Sequence, residues 1–274
     1  MCRSSRPSGG VPVTEEQSSG TAAIARRALH VRGQLPWSLK LAVVVIYPTA
    51  SLLFRLRYRD GDRLPRTGPV LLVANHVSVL DPLACARLVY DNGRVPHFLA
   101  KEAVFRGLAG KILRHAGQIP VARGSADARG SLDAAAADLE AGNVVVIYPE
   151  GSVTRDPDWW PMQARTGVAR LALTTDAVVL PVAQWGPQRV HDYHTKKLHL
   201  RFRTPTEYAL GEPVDLSAVR AEVRAGRALT PDLLRETTDV IMSRVRDLLS
   251  EVRGEPAPAG FASRPRRTLP GDAA

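Results

Sequence analysis

Directly after an apolar run, Val70-Leu71-Leu72-Val73-Ala74, the chain reads Asn75-His76-Val77-Ser78-Val79-Leu80-Asp81-Pro82. A histidine just past a buried strand stands where the reactive side chains of α/β proteins usually emerge. The aspartate five residues on can fold back to the far ring nitrogen, holding one tautomer and stabilising the imidazolium. A base with such an orienter can take the proton of a hydroxyl as its oxygen attacks a carbonyl. The same residues admit a structural reading, with His76 on the surface and Asp81 capping the helix that follows.

Other polar turns follow other apolar runs. Tyr148-Pro149-Glu150-Gly151-Ser152 comes after Val144-Val145-Val146-Ile147. Pro149 presets a turn and Gly151 permits backbone geometry closed to other residues, so Glu150 would stand at the same sheet edge as His76 if the strands are neighbours. Between these turns lies Gly117-Gln118-Ile119-Pro120-Val121-Ala122-Arg123-Gly124. A guanidinium at the end of that strand is a natural partner for a phosphate monoester, because its planar fork forms bidentate, charge-assisted bonds. Lys101, after the run Val95–Ala100, supplies a second cation. Taken singly, each of these motifs also reads as an ordinary solvated loop.

The elements that must position these residues alternate between strand and helix. Strands are predicted over Val70–Ala74, Val95–Ala100, Gln118–Ala122, Val144–Tyr148, Ala177–Val182 and, more exposed, Lys197–Arg203. Helices are predicted over Asp81–Tyr90, Arg106–His115, Ser125–Ala141 and Val168–Thr174. A long last helix starts at Thr230 as N-cap with Pro231 in its first position and runs through Val252. This order predicts an α/β fold, a mostly buried mixed sheet with flanking helices.

Composition bounds the rest. The 274 residues, 45% of them hydrophobic, suffice for one sizeable core without disulfide or metal staples, and the two cysteines, Cys2 and Cys85, sit in no ligand pattern. The net charge of +10 points to polyanions: nucleic acid, anionic lipid or phosphorylated metabolites. Residues 1–20 and 254–274, rich in Pro, Gly, Ser or Ala with interspersed charge, read as disordered ends without chemistry, and the first of them lacks a secretory signal pattern. The domain division is then 1–20 disordered, 21–60 a membrane-associating helical segment, 61–253 the catalytic domain and 254–274 a basic tail.

Within 21–60, the apolar stretch Leu41–Phe54 is interrupted by Pro48 and falls short of the roughly 20 residues that a spanning helix needs. Trp37 and Tyr47 favour an interface, and Arg55, Arg57 and Arg59 follow as contacts for anionic headgroups. The segment reads as a peripheral or re-entrant anchor, the competing reading being a buried core helix kinked at Pro48.

In order and spacing these segments resemble the glycerolipid acyltransferase family typified by 1-acyl-sn-glycerol-3-phosphate acyltransferases. The family's Asn-His, four residues, then Asp is similar to Asn75–Asp81, and its Gly-to-Arg block to Gly117–Arg123. Its Phe-Pro-Glu-Gly-Thr block resembles Tyr148–Ser152, and its Val-Pro-Val run resembles Leu180-Pro181-Val182-Ala183. Counting the Lys101-Glu102 pair and the close at Gly211-Glu212-Pro213, the resemblance runs from about Trp37 to about Leu216. It implies His76 as base and Asp81 as its partner. It further implies Asn75, Lys101, Arg123, Glu150, Gly151 and Ser152 as the substrate-binding set, an apolar groove for the acyl chain, and no metal or organic cofactor. The chain departs from the family at Val153, where an arginine is usual and the nearest here is Arg155, and at Tyr148, where Phe is usual.

The activity so implied is transfer of a fatty acyl group from acyl-CoA or acyl carrier protein, as co-substrate, to the sn-2 hydroxyl of 1-acylglycerol-3-phosphate. That would yield phosphatidic acid, at an anionic membrane surface on the cytoplasmic face of the cell membrane, with no role for nucleic acid. No Gly-x-Ser-x-Gly elbow supports a serine-hydrolase route. One alternative keeps acyl transfer and changes the acceptor to an ornithine lipid, a lysophospholipid or a glycolipid. The other is a non-enzymatic basic protein that binds membranes or nucleic acid, for which net charge alone speaks and which no recognised nucleic-acid motif accompanies.

Overall fold

The computed structural model describes residues 37–121 and 127–264. The N-terminus expected to be disordered (1–20), Arg123, and residues 265–274 of the expected tail lie outside the described residues.

Helix α1 (Trp37–Leu53) leads into strand β1 (Phe54–Arg59). Then follow β2 (Val70–Ala74), α2 (Asp81–Asp91), β3 (Pro96–Lys101), α3 (Gly107–His115), β4 (Ile119–Val121), α4 (Asp127–Glu140), β5 (Val144–Ile147), α5 (Gly167–Thr174) and β6 (Val178–Trp185). A small hairpin of β7 (His191–Asp192) and β8 (Lys197–Leu198) precedes β9 (Thr204–Leu210), α6 (Ser217–Arg224) and α7 (Pro231–Arg253).

Seven strands form the main sheet in the order β1-β9-β6-β2-β5-β3-β4, and the only antiparallel pairing among them is β6 with β9. The expected α/β architecture with a mixed, mostly buried sheet and flanking helices is therefore present. Period-two alternation divides the core. Val70, Leu72, Val144, Val146, Leu180 and Val182 face the helices α1 and α2, while Leu71, Val73, Val145, Ile147 and Val179 face α4, α5 and α7. Burial on both faces is why these strands read as unbroken apolar runs. Helix α7 begins as its sequence predicts: Thr230 Oγ1 accepts the Leu233 N–H at 3.2 Å, with Pro231 in the first turn.

Four features differ from the sequence reading. The helical segment expected through residue 60 ends at Leu53, and Phe54–Arg59 is an edge strand with Phe54, Leu56 and Tyr58 turned inward and Arg55, Arg57 and Arg59 outward. Arg59 pairs with Glu207 of the neighbouring β9 at 2.6 Å. The predicted strand Lys197–Arg203 is reduced to Lys197–Leu198, since Leu198, Leu200 and Phe202 find no core to cover them. Both β9 and α6 went unforeseen. Finally, residues 255–264 of the expected tail pack on the domain: Phe261 joins the core beside Ile241 and Val245, and Ala262 bridges Met162.

Helix α1 is neither buried all round nor free. Leu39, Val43, Ile46 and Tyr47 line a partly open cavity and Ala50 is buried, whereas Val44 and Val45 are each 58% exposed and Leu52 54%. No helix among the described residues is long and apolar enough to cross a membrane.

Candidate active site

Strands β2 and β5 are parallel neighbours with Val73 opposite Ile147, so the turns that follow them leave the sheet side by side. The chain steps from β2 outward to β3 and β4, returns to β5, then crosses to β6 on the other side of β2. Such a reversal opens a crevice at the carboxyl ends of the strands, and His76 lies two residues beyond β2 in that crevice.

Asp81 is fully buried, and its Oδ2 accepts three hydrogen bonds: from His76 Nδ1 at 2.8 Å, from Val77 N at 2.7 Å and from Ser78 N at 2.9 Å. The carboxylate is thus used by its own loop and does not cap α2, whose N-cap is Leu80 without a side-chain bond. Burial pushes the Asp81 carboxyl above its ordinary range, while His76 and the two main-chain donors pull it down. With Nδ1 turned to Asp81, Nε2 is the ring nitrogen left for other partners, and the imidazole is 15% exposed. Tyr148 stacks on the other side, ring centroids 4.3 Å apart and planes 23° from parallel, fixing the plane of the base.

The main chain of His76 is held at both polar groups. Its N–H donates to Glu150 Oε1 at 2.9 Å, and its carbonyl accepts from Thr154 N at 2.7 Å. Glu150 Oε2 accepts from Met162 N at 3.0 Å, so this carboxyl ties three segments together. Burial pushes Glu150 up to about 8, against the pull of those two N–H donors. Asn75 is likewise occupied: its Oδ1 accepts Gln184 N at 2.9 Å, its Nδ2 donates to Gln184 O at 3.1 Å, and Gln184 Nε2 donates to the Asn75 carbonyl. This reciprocal pair joins the ends of β2 and β6.

Beside His76 opens a cavity of about 500 Å³ walled by α1, α2, β3 and α3. Its lining is mostly apolar, with Ile46, Leu83, Ala86, Phe98 and Leu113 among the contributors, and Tyr148 and Gly151 at the His76 end. Arg87 holds two of the walls together, donating to Ser51 Oγ at 2.7 Å and lying 4.6 Å from the Tyr47 ring centroid. Among the described residues no group of three or more His, Cys, Asp or Glu side chains is gathered to hold a metal ion.

The residues expected at the site therefore separate. His76, Asp81, Glu150 and Gly151 come together, and Lys101 lines the same cavity with its side chain exposed. Ser152 is half-buried in the loop after Gly151. Asn75 and Glu150 are buried and spend their polar atoms on the frame, so neither is free to bind substrate directly. Arg123 lies outside the described residues. Gln184, Thr154 and Met162, which position Asn75, His76 and Glu150, carried no signal of their own in the sequence.

Residues 55–185 match the family model described as Acyltransferase. A 187-residue stretch is 27% identical to the 1-acyl-sn-glycerol-3-phosphate acyltransferase alpha of Mus musculus, covering 67% of this chain and 63% of that protein. Residues 55–185 thus resemble the acyltransferases that the sequence motifs pointed to. The match spans less than two thirds of the length of the mouse relative. The crystal structure of the 1-acyl-sn-glycerophosphate (LPA) acyltransferase PlsC from Thermotoga maritima superposes with a TM-score of 0.54, covering 89% of this chain and 85% of that one. At 18% identity that likeness establishes a shared fold. The family-matched stretch holds His76, Asp81 and Glu150 and stops at the end of β6.

Proposed function

We propose that this chain transfers a fatty acyl group from a thioester to the sn-2 hydroxyl of 1-acylglycerol-3-phosphate, giving phosphatidic acid. The reading is carried by one observation: an imidazole with Nδ1 held by a buried carboxylate at 2.8 Å opens onto an apolar cavity of about 500 Å³. An acyl chain in that cavity would bring its thioester carbonyl to Nε2. The acceptor hydroxyl attacks the carbonyl carbon as Nε2 takes its proton, and the tetrahedral intermediate collapses with cleavage of the C–S bond. The imidazolium, stabilised by Asp81, returns its proton to the departing thiolate. Base and acid are one residue, and no acyl-enzyme is formed.

Ser78, the hydroxyl nearest in sequence to the base, is fully buried and donates to the His191 carbonyl at 3.0 Å, which favours direct transfer over a covalent route. Lys101 at the cavity, and Arg123 after β4, are the cations proposed for the acceptor phosphate. The donor is acyl-CoA or acyl carrier protein. The exposed apolar face of α1 and the outward Arg55 and Arg57 support a peripheral position on an anionic bilayer, at the cytoplasmic face of the cell membrane.

The test is a radiolabelled assay of the purified full chain in phosphatidylglycerol-containing vesicles, with both donors and a panel of lysolipid acceptors. Labelled phosphatidic acid is expected. Preferential labelling of a lysophospholipid, ornithine lipid or glycolipid would replace the acceptor, and no transfer with either donor would overturn the reading.

A further inference from the structure

Val153, where an arginine is usual in the family, is 3% exposed and apolar, so that position supplies no cation to the turn after β5. Arg165 stands beside that turn. Its main-chain N–H donates to the Pro149 carbonyl at 2.8 Å, and its side chain crosses Gly151 so closely that a Cβ there would lie 2.7 Å from Nε and 3.3 Å from Cδ. Gly151 has φ +76°, and it lines the cavity at the His76 end. The absence of a side chain at 151 thus serves the backbone and makes room for the guanidinium stem.

A second arginine arrives from the far end of the chain. The parallel bridge of Met162 with Ala262 and the bond from Gln163 N to the Ala262 carbonyl at 2.9 Å run residues 262–264 alongside 162–165. Arg264 is delivered next to Arg165. Its Nε is buried and has no hydrogen-bond partner among the described residues. Neither arginine forms an ion pair with a carboxylate among the described residues. Burial, and then the charge of Arg165, lower the Arg264 guanidinium below its ordinary range. Two guanidinium groups held close without a counter-ion repel each other, and an anion between them reverses the sign.

We propose that Arg165 and Arg264 form an anion site beside Gly151 that binds a phosphate group of the substrate. The choice of substrate rests on the acyl-transfer reading; the anion site itself rests on the two arginines. Paired guanidinium forks suit the oxygens of a phosphate monoester better than a single carboxylate. Such a group is offered both by the lysolipid acceptor and by the coenzyme A of the donor. The C-terminal segment thereby enters the site, and Val153 ceases to be a gap.

The variants are Arg165→Gln, Arg165→Lys and Arg264→Gln in the full chain; the Arg165 side chain is exposed, so its loss leaves the fold intact. With 1-acylglycerol-3-phosphate varied, Arg165→Gln should raise the apparent KM about 10- to 100-fold with kcat little changed, as expected for a charged hydrogen bond lost from binding. Arg264→Gln should act in the same direction, and Arg165→Lys should recover part of the loss. With 1-acylglycerol, which has no phosphate, KM should not move. A rise confined to acyl-CoA and absent with acyl-pantetheine assigns the site to the coenzyme's phosphates. A readout without turnover runs in parallel: inorganic pyrophosphate should raise the Tm of the wild type and do so less in either Gln variant. An equal pyrophosphate shift in all proteins, with unchanged KM values, overturns the anion site. A shift lost in the variants of a chain that transfers no acyl group would keep the site and remove the acyl-transfer reading.

Discussion

The carboxyl of Glu150 accepts the main-chain N–H of His76 at 2.9 Å, a bond that joins the turns after two neighbouring strands across 74 residues of chain. The candidate base is therefore set by a group that never meets its ring. Asp81 fixes the imidazole through Nδ1, Tyr148 fixes its plane, and Glu150 with Thr154 fix the backbone that carries it. The constraints come from two parts of the chain, Asp81 and the 148–154 turn, which is how a short loop attains the preorganisation that proton transfer demands.

Glu150 should make stability depend on pH. Its pKa is raised from 4.5 to about 8 in the folded protein, so between those values the native state retains a proton that the unfolded chain releases. Its contribution is fully present below the lower value and is lost as pH rises through the higher. Denaturant titrations of wild type and Glu150→Gln from about pH 4.5 to about pH 8 should show their stability difference shrinking by up to a few kcal/mol. Gln faces one main-chain donor with its own NH₂, so the variant is weaker throughout, and it is the trend with pH that discriminates. Parallel stability curves would refute the assignment.

His76→Ala should reduce turnover by about 10²- to 10⁴-fold, the usual worth of a positioned general base. Ser78→Ala should retain turnover within about tenfold, since it removes a buried hydroxyl that donates to the His191 carbonyl and accepts the Leu80 N–H, neither of them part of the base. Losses of equal size in the two variants, measured as single-turnover rates, would argue for an acyl-serine instead.

Ala86 lies on α2 and contributes to the cavity wall. Ala86→Phe should shorten the preferred donor chain, with activity on long-chain thioesters falling at least about tenfold relative to short ones, because overpacking costs roughly 1–3 kcal/mol. An unchanged profile across a series of acyl-CoA lengths would place the acyl chain outside this cavity.

Cys85 is buried and its thiol is pushed up to about 12, so the reactive thiolate is scarce at neutral pH. In a Cys2→Ser background, labelling by iodoacetamide should be negligible in the native protein and complete in denaturant. Rapid native labelling would mean that the packing around α2 opens readily.

Much of this was legible because the motifs follow continuous apolar strands. His76, Asp81 and Glu150 could be placed at one sheet edge once the runs 70–74 and 144–147 were read as strands, and their pairing follows from the β2–β5 register. What escaped was long-range or masked by composition. The reciprocal bonds of Asn75 with Gln184 span 109 residues, and nothing in the residues near Gln184 announces a partner. Strand β9 contains Pro205 and Glu207, which weaken the strand pattern of a segment that nonetheless buries Tyr208 and Leu210. The segment around Ala262 has the composition of a loose tail, yet Phe261 and the bridge to Met162 dock it. Arg165 sits in a helix approach with no motif of its own, and only its passage over Gly151 singles it out.

The family-matched stretch begins at residue 55, whereas one wall of the cavity is built by Leu39, Val43, Ile46 and Tyr47 of α1. A protein trimmed to the recognisable domain would keep the proton-transfer apparatus and lose the flank of the cavity beside it. Its greasy trough would lie open to water along one side, inviting self-association, and any thioester reaching His76 would meet solvent as readily as an alcohol. Helix α1 is thus a shield as well as a wall, and in the proposed acyl transfer it would keep an activated acyl group from being squandered as free acid.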